Sequence, residues 1–260
     1  AGVPTEMKHL MEAQVLPRIK ERMASTELHH AYLKTAGIGE SFLAERIAAW
    51  EDALPPHMKL AYLPDVAEVK LRLSAYGKEQ KAALEQKMNE VIPYVYSRED
   101  ISLEEALAKL LLEQGATVST AESCTGGNIA QQITQWAGSS AYFLGSVVSY
   151  ANSVKIDLLK VKSETLSNFG AVSEQTVTEM AEGILRLTGS TYSIATSGIA
   201  GPGGGSEEKP VGTIWIAVSN GHQTVTKKLS LNRDRIGNIR YTTKAALNLL
   251  QLQLRGIWQK

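Results

Sequence analysis

Between Thr117 and Gly127 the chain reads TVSTAESCTGG, which sets one carboxylate (Glu122), two hydroxyls (Ser123, Thr125) and the only cysteine (Cys124) side by side. A run rich in β-branched residues passes into polar residues and then two glycines, the pattern of a strand, a tight turn and a helix start. The first N–H groups of such a helix have no partner within it, so they favour an anion or a developing oxyanion. Ser and Thr are also ordinary helix caps and Gly is ordinary in βα loops. Spacing alone leaves both a cap and a nucleophile turn open.

A serine nucleophile needs a base, most often histidine. His9, His29, His30 and His57 all fall in the N-terminal part of the chain, and His222 follows Gly221 in what reads as a hairpin turn, where histidine is usually solvated. A lysine or a carboxylate is then required, and a lysine serves when burial or a nearby cation lowers its pKa. Lys155 stands five residues after Tyr150, the last residue of the strand expected over 141–150. Both belong to the edge that carries Ser123 if those strands are parallel neighbours, because open α/β sheets place sites at the carboxyl ends of strands. A helix N-terminus also disfavours the protonated form of Lys155.

Two further segments suit an anion. Residues 197–206, SGIAGPGGGS, hold five glycines in ten residues after an expected strand, exposing backbone N–H groups to a phosphate or oxyanion. They do not match the G-x-x-x-x-G-K-[ST] phosphate loop. Arg233, Arg235 and Arg240 open the last helix, where cations oppose the helix dipole unless an anion offsets them. Together these features describe a small-molecule anion site with a Ser123/Lys155 hydrolase pair.

The elements that must position these residues divide into two groups. Residues 1–98 read as a loop and helix (1–25), a strand (29–38), a helix (39–50), two strands (58–64 and 66–76) and a helix (78–92), a small α+β domain. A boundary is expected near residue 98. From there, periods of two and 3.6 alternate over 99–260. The helix from Ser102 is capped with Glu105 three residues on. It is followed by the strand to Ala121, a helix over 126–136, the strand 141–150, a helix over 152–161, a linker through Phe169 and a helix over 173–189. The strand 192–200, the strands 212–219 and 223–231 and a helix from Arg235 to about Leu254 complete the series. Strands mixed with crossover helices predict a three-layer α/β/α sandwich with a mixed sheet whose last strands pair antiparallel.

Composition limits the partners. With 43% apolar residues the chain can build a core, and equal numbers of basic and acidic residues, 27 each, give no global field toward nucleic acid or an anionic membrane. One cysteine excludes an internal disulfide and a cysteine-built metal site. Neither a membrane span nor a signal peptide is visible, so a cytoplasmic protein is expected. The chain begins at Ala1, as a processed protein or a fragment of a longer one would.

Residues 115–254 resemble the C-terminal domain of the CinA (competence/damage-inducible protein A) family. The resemblance is carried by AESCTGG (121–127), AGSSAYF (137–143), VVSYANSVK (147–155), GAVSEQTV (170–177), TSGIAGPGGG (196–205) and PVGTIWIAV (210–218), six motifs in order. It implies a nicotinamide-nucleotide amidase that converts nicotinamide mononucleotide to nicotinic acid mononucleotide and ammonia, without metal or organic cofactor. Matched position by position, Ser123 is the nucleophile, Lys155 the base and Tyr150 its partner in proton transfer. Glu122, Thr125 and Gly126, with Gly198, Gly201 and Gly203, line the substrate site, and an arginine holds the phosphate. The family's Gly-Asp-Arg run appears here as Arg233-Asp234-Arg235, which fits Arg235 and leaves Arg233 as a competitor; Ser197 stands where threonine is usual.

Residues 1–98 look like the middle region of long CinA-like proteins, with a KH-type fold, and GVPTEM (2–7) resembles the end of their N-terminal molybdopterin-binding-like domain. TAGIGES (35–41) lacks a G-x-x-G clamp and the segment is not strongly basic, so a structural or dimerising role is expected rather than RNA binding. The expected partners are a small-molecule nucleotide and a second copy in a homodimer or higher homo-oligomer, with no nucleic acid and no membrane. The alternative is a catalytically silent nucleotide-binding or scaffold protein of the same fold.

Overall fold

The computed structural model describes residues 3–22, 28–76 and 95–257. Helix α1 (Pro4–Leu10) continues through a π-helical turn, Met11–Val15, into α2 (Leu16–Arg22). The π turn lies just before Pro17, whose missing N–H interrupts the regular ladder. The helix starts at Pro4, a residue that suits the first helical position.

Strands β1 (Leu28–Ala36), β2 (Met58–Asp65), β3 (Glu68–Tyr76) and β4 (Val95–Ser97) form an antiparallel sheet in the order β2-β3-β1-β4. Helix α3 (Glu40–Asp52) covers it through Leu43 and Ile47, which pack with Leu33, Leu71 and Leu73. This is the small KH-like α+β unit. The helix expected over 78–92 lies outside the described residues.

Beyond it, α4 (Leu103–Glu113) begins at Ser102, whose hydroxyl accepts from the Glu105 amide at 3.1 Å. The second sheet orders β6 (Phe143–Val148), β5 (Val118–Glu122), β7 (Tyr192–Gly198), β8 (Thr213–Ser219) and β9 (Thr224–Ser230) as β6-β5-β7-β8-β9. The pairs β6–β5 and β5–β7 are parallel, and β7–β8 and β8–β9 antiparallel.

Alternation along the strands builds two different faces. Val118, Ile194, Ile214, Ile216 and Val218 meet α4, α5 (Asn128–Thr134) and α9 (Arg235–Leu254) in one core. Ala121, Ala195 and Ala217 point the other way, toward Val177, Met180 and Ile184 of α8 (Glu174–Thr188). Small strand residues let α8 lie close to the sheet, and the arrangement is a three-layer α/β/α sandwich.

Two short helices precede α8. Helix α6 (Asn152–Asp157) carries Lys155, and α7 (Ser163–Phe169) occupies the stretch expected to be a linker. At seven residues α7 is too short to show a periodic apolar face. Tertiary contacts hold it: the Glu179 carboxylate of α8 accepts from the Lys162 amide and from the Thr165 hydroxyl, both at 2.8 Å.

Parallel β5 has neighbours on both sides whose connections leave in opposite directions. The carboxyl ends of β5, β6 and β7 therefore surround one crevice at the point where the strand order reverses.

Candidate active site

Ser123 follows β5 directly, and its amide donates to the Thr196 carbonyl of β7 at 3.0 Å. On the other side the Glu122 carbonyl accepts from the Ser149 amide at 2.8 Å, just beyond the end of β6. The turn is thus tied to both parallel neighbours. Gly126 (φ +62°) and Gly127 (φ +96°) then reverse the backbone through left-handed conformations that β-branched residues resist.

Lys155 projects from α6 under this turn and is 1% exposed. Its Nζ donates to Ser123 Oγ at 3.2 Å, to the Ser149 carbonyl at 2.6 Å and to the Tyr150 carbonyl at 3.4 Å. Burial pulls the Lys155 pKa below the ordinary lysine value, opposed by the nearby Cys124 thiol. The loss of hydration outweighs partners that are nearly all neutral.

Cys124 lies beside the nucleophile candidate with its side chain turned inward. Burial pushes its thiol up to about 12, despite contacts with its own amide and with Thr196 that favour the thiolate. It stays protonated at neutral pH and is a poor nucleophile.

The other expected residues separate sharply. Gly198, Gly201 and Gly203 border a cavity of about 260 Å³ together with Ser123, Cys124, Tyr150, Gly204 and Arg235. A side chain at Gly198 would place its Cβ 2.4 Å from Ile214 Cγ1, so the strand end must be glycine for β7 and β8 to meet. Among the described residues, the amides of Gly201, Gly203 and Gly204 have no acceptor. They remain available to a ligand oxygen.

Arg235 opens α9 after Asp234 caps the helix by accepting from the Gly237 amide at 2.7 Å. Its guanidinium donates to the Gly201 carbonyl at 2.6 Å and to the Tyr150 hydroxyl at 3.1 Å. Arg233 is turned away, with its guanidinium 5.2 Å from the centre of the Tyr241 ring, and does not line the cavity. Arg240 borders a separate cleft with Asp65 and Gln131.

Four residues stand elsewhere than the resemblance implies. The Glu122 side chain is fully buried and accepts from the amides of Gly127, Ile129 and Ala130 at 3.0, 3.0 and 2.8 Å, so it caps α5 instead of facing a substrate. Those N–H groups are consequently closed to an external anion. Thr125 is buried with its hydroxyl on that of Thr196 at 2.7 Å, and Gly126 shapes the turn without bordering the cavity. The phenol of Tyr150 does not reach Lys155; the residue offers Lys155 its carbonyl and Arg235 its hydroxyl.

Two contributors escaped the sequence reading. The Ser149 carbonyl is the nearest partner of the lysine, and a main-chain group leaves no residue-type signal. Asn238, fully buried, donates from its side-chain amide to the carbonyls of Ala200 and Arg233 at 3.0 and 3.1 Å, joining the glycine loop to α9. An asparagine one turn past the Asp234 cap is the signal the sequence offers for it. His222 sits in the β8–β9 turn, at the sheet edge opposite the cavity, since β8 runs antiparallel to β7.

The molecule is therefore an α/β/α protein with a serine and a buried lysine at the carboxyl edge of its parallel strands, preceded by a KH-like unit. Residues 100–254 match the CinA C-terminal domain and residues 30–98 the damage-inducible protein CinA KH domain, and the chain belongs to the CinA family.

It is 47% identical over 263 residues to a CinA-like protein of Cytophaga hutchinsonii and 41% identical over 267 residues to one of Flavobacterium psychrophilum. These alignments take in 98% and 100% of this chain but 63% and 64% of those proteins, so the chain spans under two thirds of their length. Among solved structures it resembles the competence damage-inducible protein A of Klebsiella pneumoniae (TM-score 0.58, 39% identity) and a competence/damage inducible protein of Agrobacterium tumefaciens (TM-score 0.56, 40% identity). Each match covers 60% of this chain and 97% of the solved one. No helix among the described residues is long and apolar enough to cross a membrane.

Proposed function

We propose that this chain is a nicotinamide-nucleotide amidase, hydrolysing nicotinamide mononucleotide to nicotinic acid mononucleotide and ammonia. The observation that carries the reading is the buried Lys155 amine 3.2 Å from the Ser123 hydroxyl, with its pKa lowered by burial. A neutral amine at that distance can take the serine proton as Oγ attacks, which is the requirement for a serine nucleophile without histidine.

In the first half-reaction Oγ bonds to the carboxamide carbon and its proton passes to Lys155. The carbonyl oxygen becomes an oxyanion, and the unpartnered amides of Gly201, Gly203 and Gly204 border the same cavity as donors for negative charge. Collapse breaks the C–N bond as the Lys155 ammonium returns the proton, so ammonia leaves and an acyl ester remains on Ser123. Water then gives its proton to Lys155 and attacks the ester, and the proton goes back to Oγ as the acid is released.

Arg235 supplies the fixed positive charge at the cavity rim, and only part of its donor set is spent on Gly201 and Tyr150. A phosphate there would take the remaining N–H groups. Tyr150, 62% exposed, offers a ring face at the same rim.

Incubation of the purified chain with nicotinamide mononucleotide, with ammonia and the acid product measured, tests the proposal. Turnover that vanishes in Ser123→Ala and Lys155→Ala is expected. Binding heat without ammonia would sink the amidase reading in favour of a nucleotide-binding scaffold, and steep salt-dependent binding to single strands would point instead to nucleic acid.

A further inference from the structure

We propose that Glu122 is a positioning residue of the Ser123/Lys155 pair, and that it acts as a buried anion holding the nucleophile turn without touching the substrate. The inference rests on the Ser/Lys reading above.

Glu122 is the point where three elements meet. Its side chain, fully buried, receives the Gly127 and Ile129 amides on Oε2 and the Ala130 amide on Oε1, with the Thr120 hydroxyl 3.3 Å from Oε1. These are the first free N–H groups of α5, so the carboxylate replaces the external anion that such a helix start would otherwise draw. Its carbonyl receives the Ser149 amide, and the Ser149 carbonyl in turn receives Lys155 Nζ at 2.6 Å. Its peptide bond leads straight into Ser123. One residue thus ties the helix after the nucleophile, the strand before it and the segment that seats the lysine.

None of these contacts faces the cavity, whose border passes from Ser123 and Cys124 to Tyr150, the glycine loop and Arg235. Changing Glu122 should therefore disturb the alignment of Oγ and Nζ more than the binding of a nucleotide. A misplacement of about 1 Å at a reacting atom costs up to ~100-fold in rate.

Glutamine has nearly the same shape but only one acceptor oxygen. With that oxygen on Gly127 and Ile129, its NH₂ group confronts the Ala130 N–H, and the charge opposite the helix start is lost. Aspartate keeps the charge and both acceptors on a stem one methylene shorter.

The experiment compares wild type, Glu122→Gln and Glu122→Asp, all below their melting temperatures. Phosphonylation of Ser123 by a small fluorophosphonate, in which Oγ bonds to phosphorus and fluoride leaves, is followed by mass spectrometry, and nicotinamide mononucleotide binding by calorimetry. The expected result is labelling slowed by tenfold or more in Glu122→Gln, with partial recovery in Glu122→Asp and an unchanged Kd in both. Amide hydrogen exchange at Gly127, Ile129 and Ala130 should quicken in step with the loss.

Wild-type labelling rates in Glu122→Gln would overturn the positioning role while leaving the amidase reading intact. A weakened Kd with unchanged labelling would overturn it in favour of substrate contact. If the wild-type serine resists the reagent and releases no ammonia, the Ser/Lys reading falls and this proposal with it. If Glu122→Gln does not fold, Glu122→Asp decides, since wild-type labelling there despite faster exchange at the three amides also overturns the role.

Discussion

At the scale of single residues, the site turns on which atoms are charged. Lys155 is the buried cation candidate and Cys124 the buried thiol, and burial pushes both toward their neutral forms. Substituting Ser123 or Lys155 by Ala is expected to lower kcat for ammonia release by ~10³-fold or more. Cys124→Ala should stay near wild type, because a thiol held protonated contributes no nucleophile; loss of turnover in Cys124→Ala alone would assign the chemistry to sulfur.

Lys155 also links pH to both rate and stability. Its folded pKa lies below the unfolded one, so between those two values the unfolded chain binds more protons and stability rises with pH. Wild type should therefore gain melting temperature relative to Lys155→Met as pH is raised from the folded pKa toward about 10.4. Activity should rise as pH approaches the lowered Lys155 pKa from below and level off above it, since only the neutral amine accepts the serine proton. A flat difference in melting temperature across that range would mean that Lys155 titrates alike in both states.

At the scale of elements, the close approach of α8 to the segment after Lys155 depends on Gly183. A Cβ there would sit 2.0 Å from the Leu159 carbonyl oxygen and 2.8 Å from its carbon, inside the backbone that follows α6. Helix propensity favours alanine over glycine by about 1 kcal/mol, and overpacking against an immovable backbone costs ~1–3 kcal/mol or more. The clash wins, so Gly183→Ala should lower Tm by ~2–4 °C for each kcal/mol lost. Because the Lys155 carbonyl receives the Val161 amide two residues beyond Leu159, ammonia release should fall as well. A stabilised Gly183→Ala variant would show that α8 can move away freely.

At the scale of the whole molecule, helix α9 connects the site to the KH-like unit. Its start carries Arg235 and Asn238, and nine residues after Arg235 Lys244 enters a largely buried cluster. Lys244 Nζ lies 2.6 Å from Glu68 of β3 and 2.8 Å from Glu104 of α4, while the Tyr96 hydroxyl donates to Glu68 at 2.6 Å. The carboxylates are 9% and 2% exposed and the lysine 21%, so removing the cation strands two acids in a poorly hydrated place.

Lys244→Met is expected to destabilise the chain by ~3 kcal/mol, somewhat relieved by the lysine's partial exposure. Adding Glu68→Gln should restore part of the loss, a coupling that a double-mutant cycle measures. Additive effects would mean that the cluster does not join the units.

We propose the boundary between the units near residue 98. The solved relatives are covered to 97% by 60% of this chain, which supports folding of 99–260 by itself. That fragment should melt cooperatively, and a molten fragment would make the KH-like unit part of the same folding unit.

Local sequence determined a great deal. Alternating periods of two and 3.6 set the α/β/α architecture and its antiparallel side, because each strand and amphipathic helix must bury its own apolar face. The edge rule for such sheets then brought Ser123, Tyr150, Lys155 and the glycine loop to one crevice, and the exclusion of histidine pointed to Lys155. Side-chain direction and burial depend on contacts between residues far apart in the chain, which no local pattern encodes. Only the tertiary structure turned Glu122 onto the amides of α5, sent Arg235 to the cavity and Arg233 to Tyr241, and formed α7 against Glu179. It alone placed the Lys155 amine under the Ser149 carbonyl, beside the serine and out of water, where burial can lower its pKa.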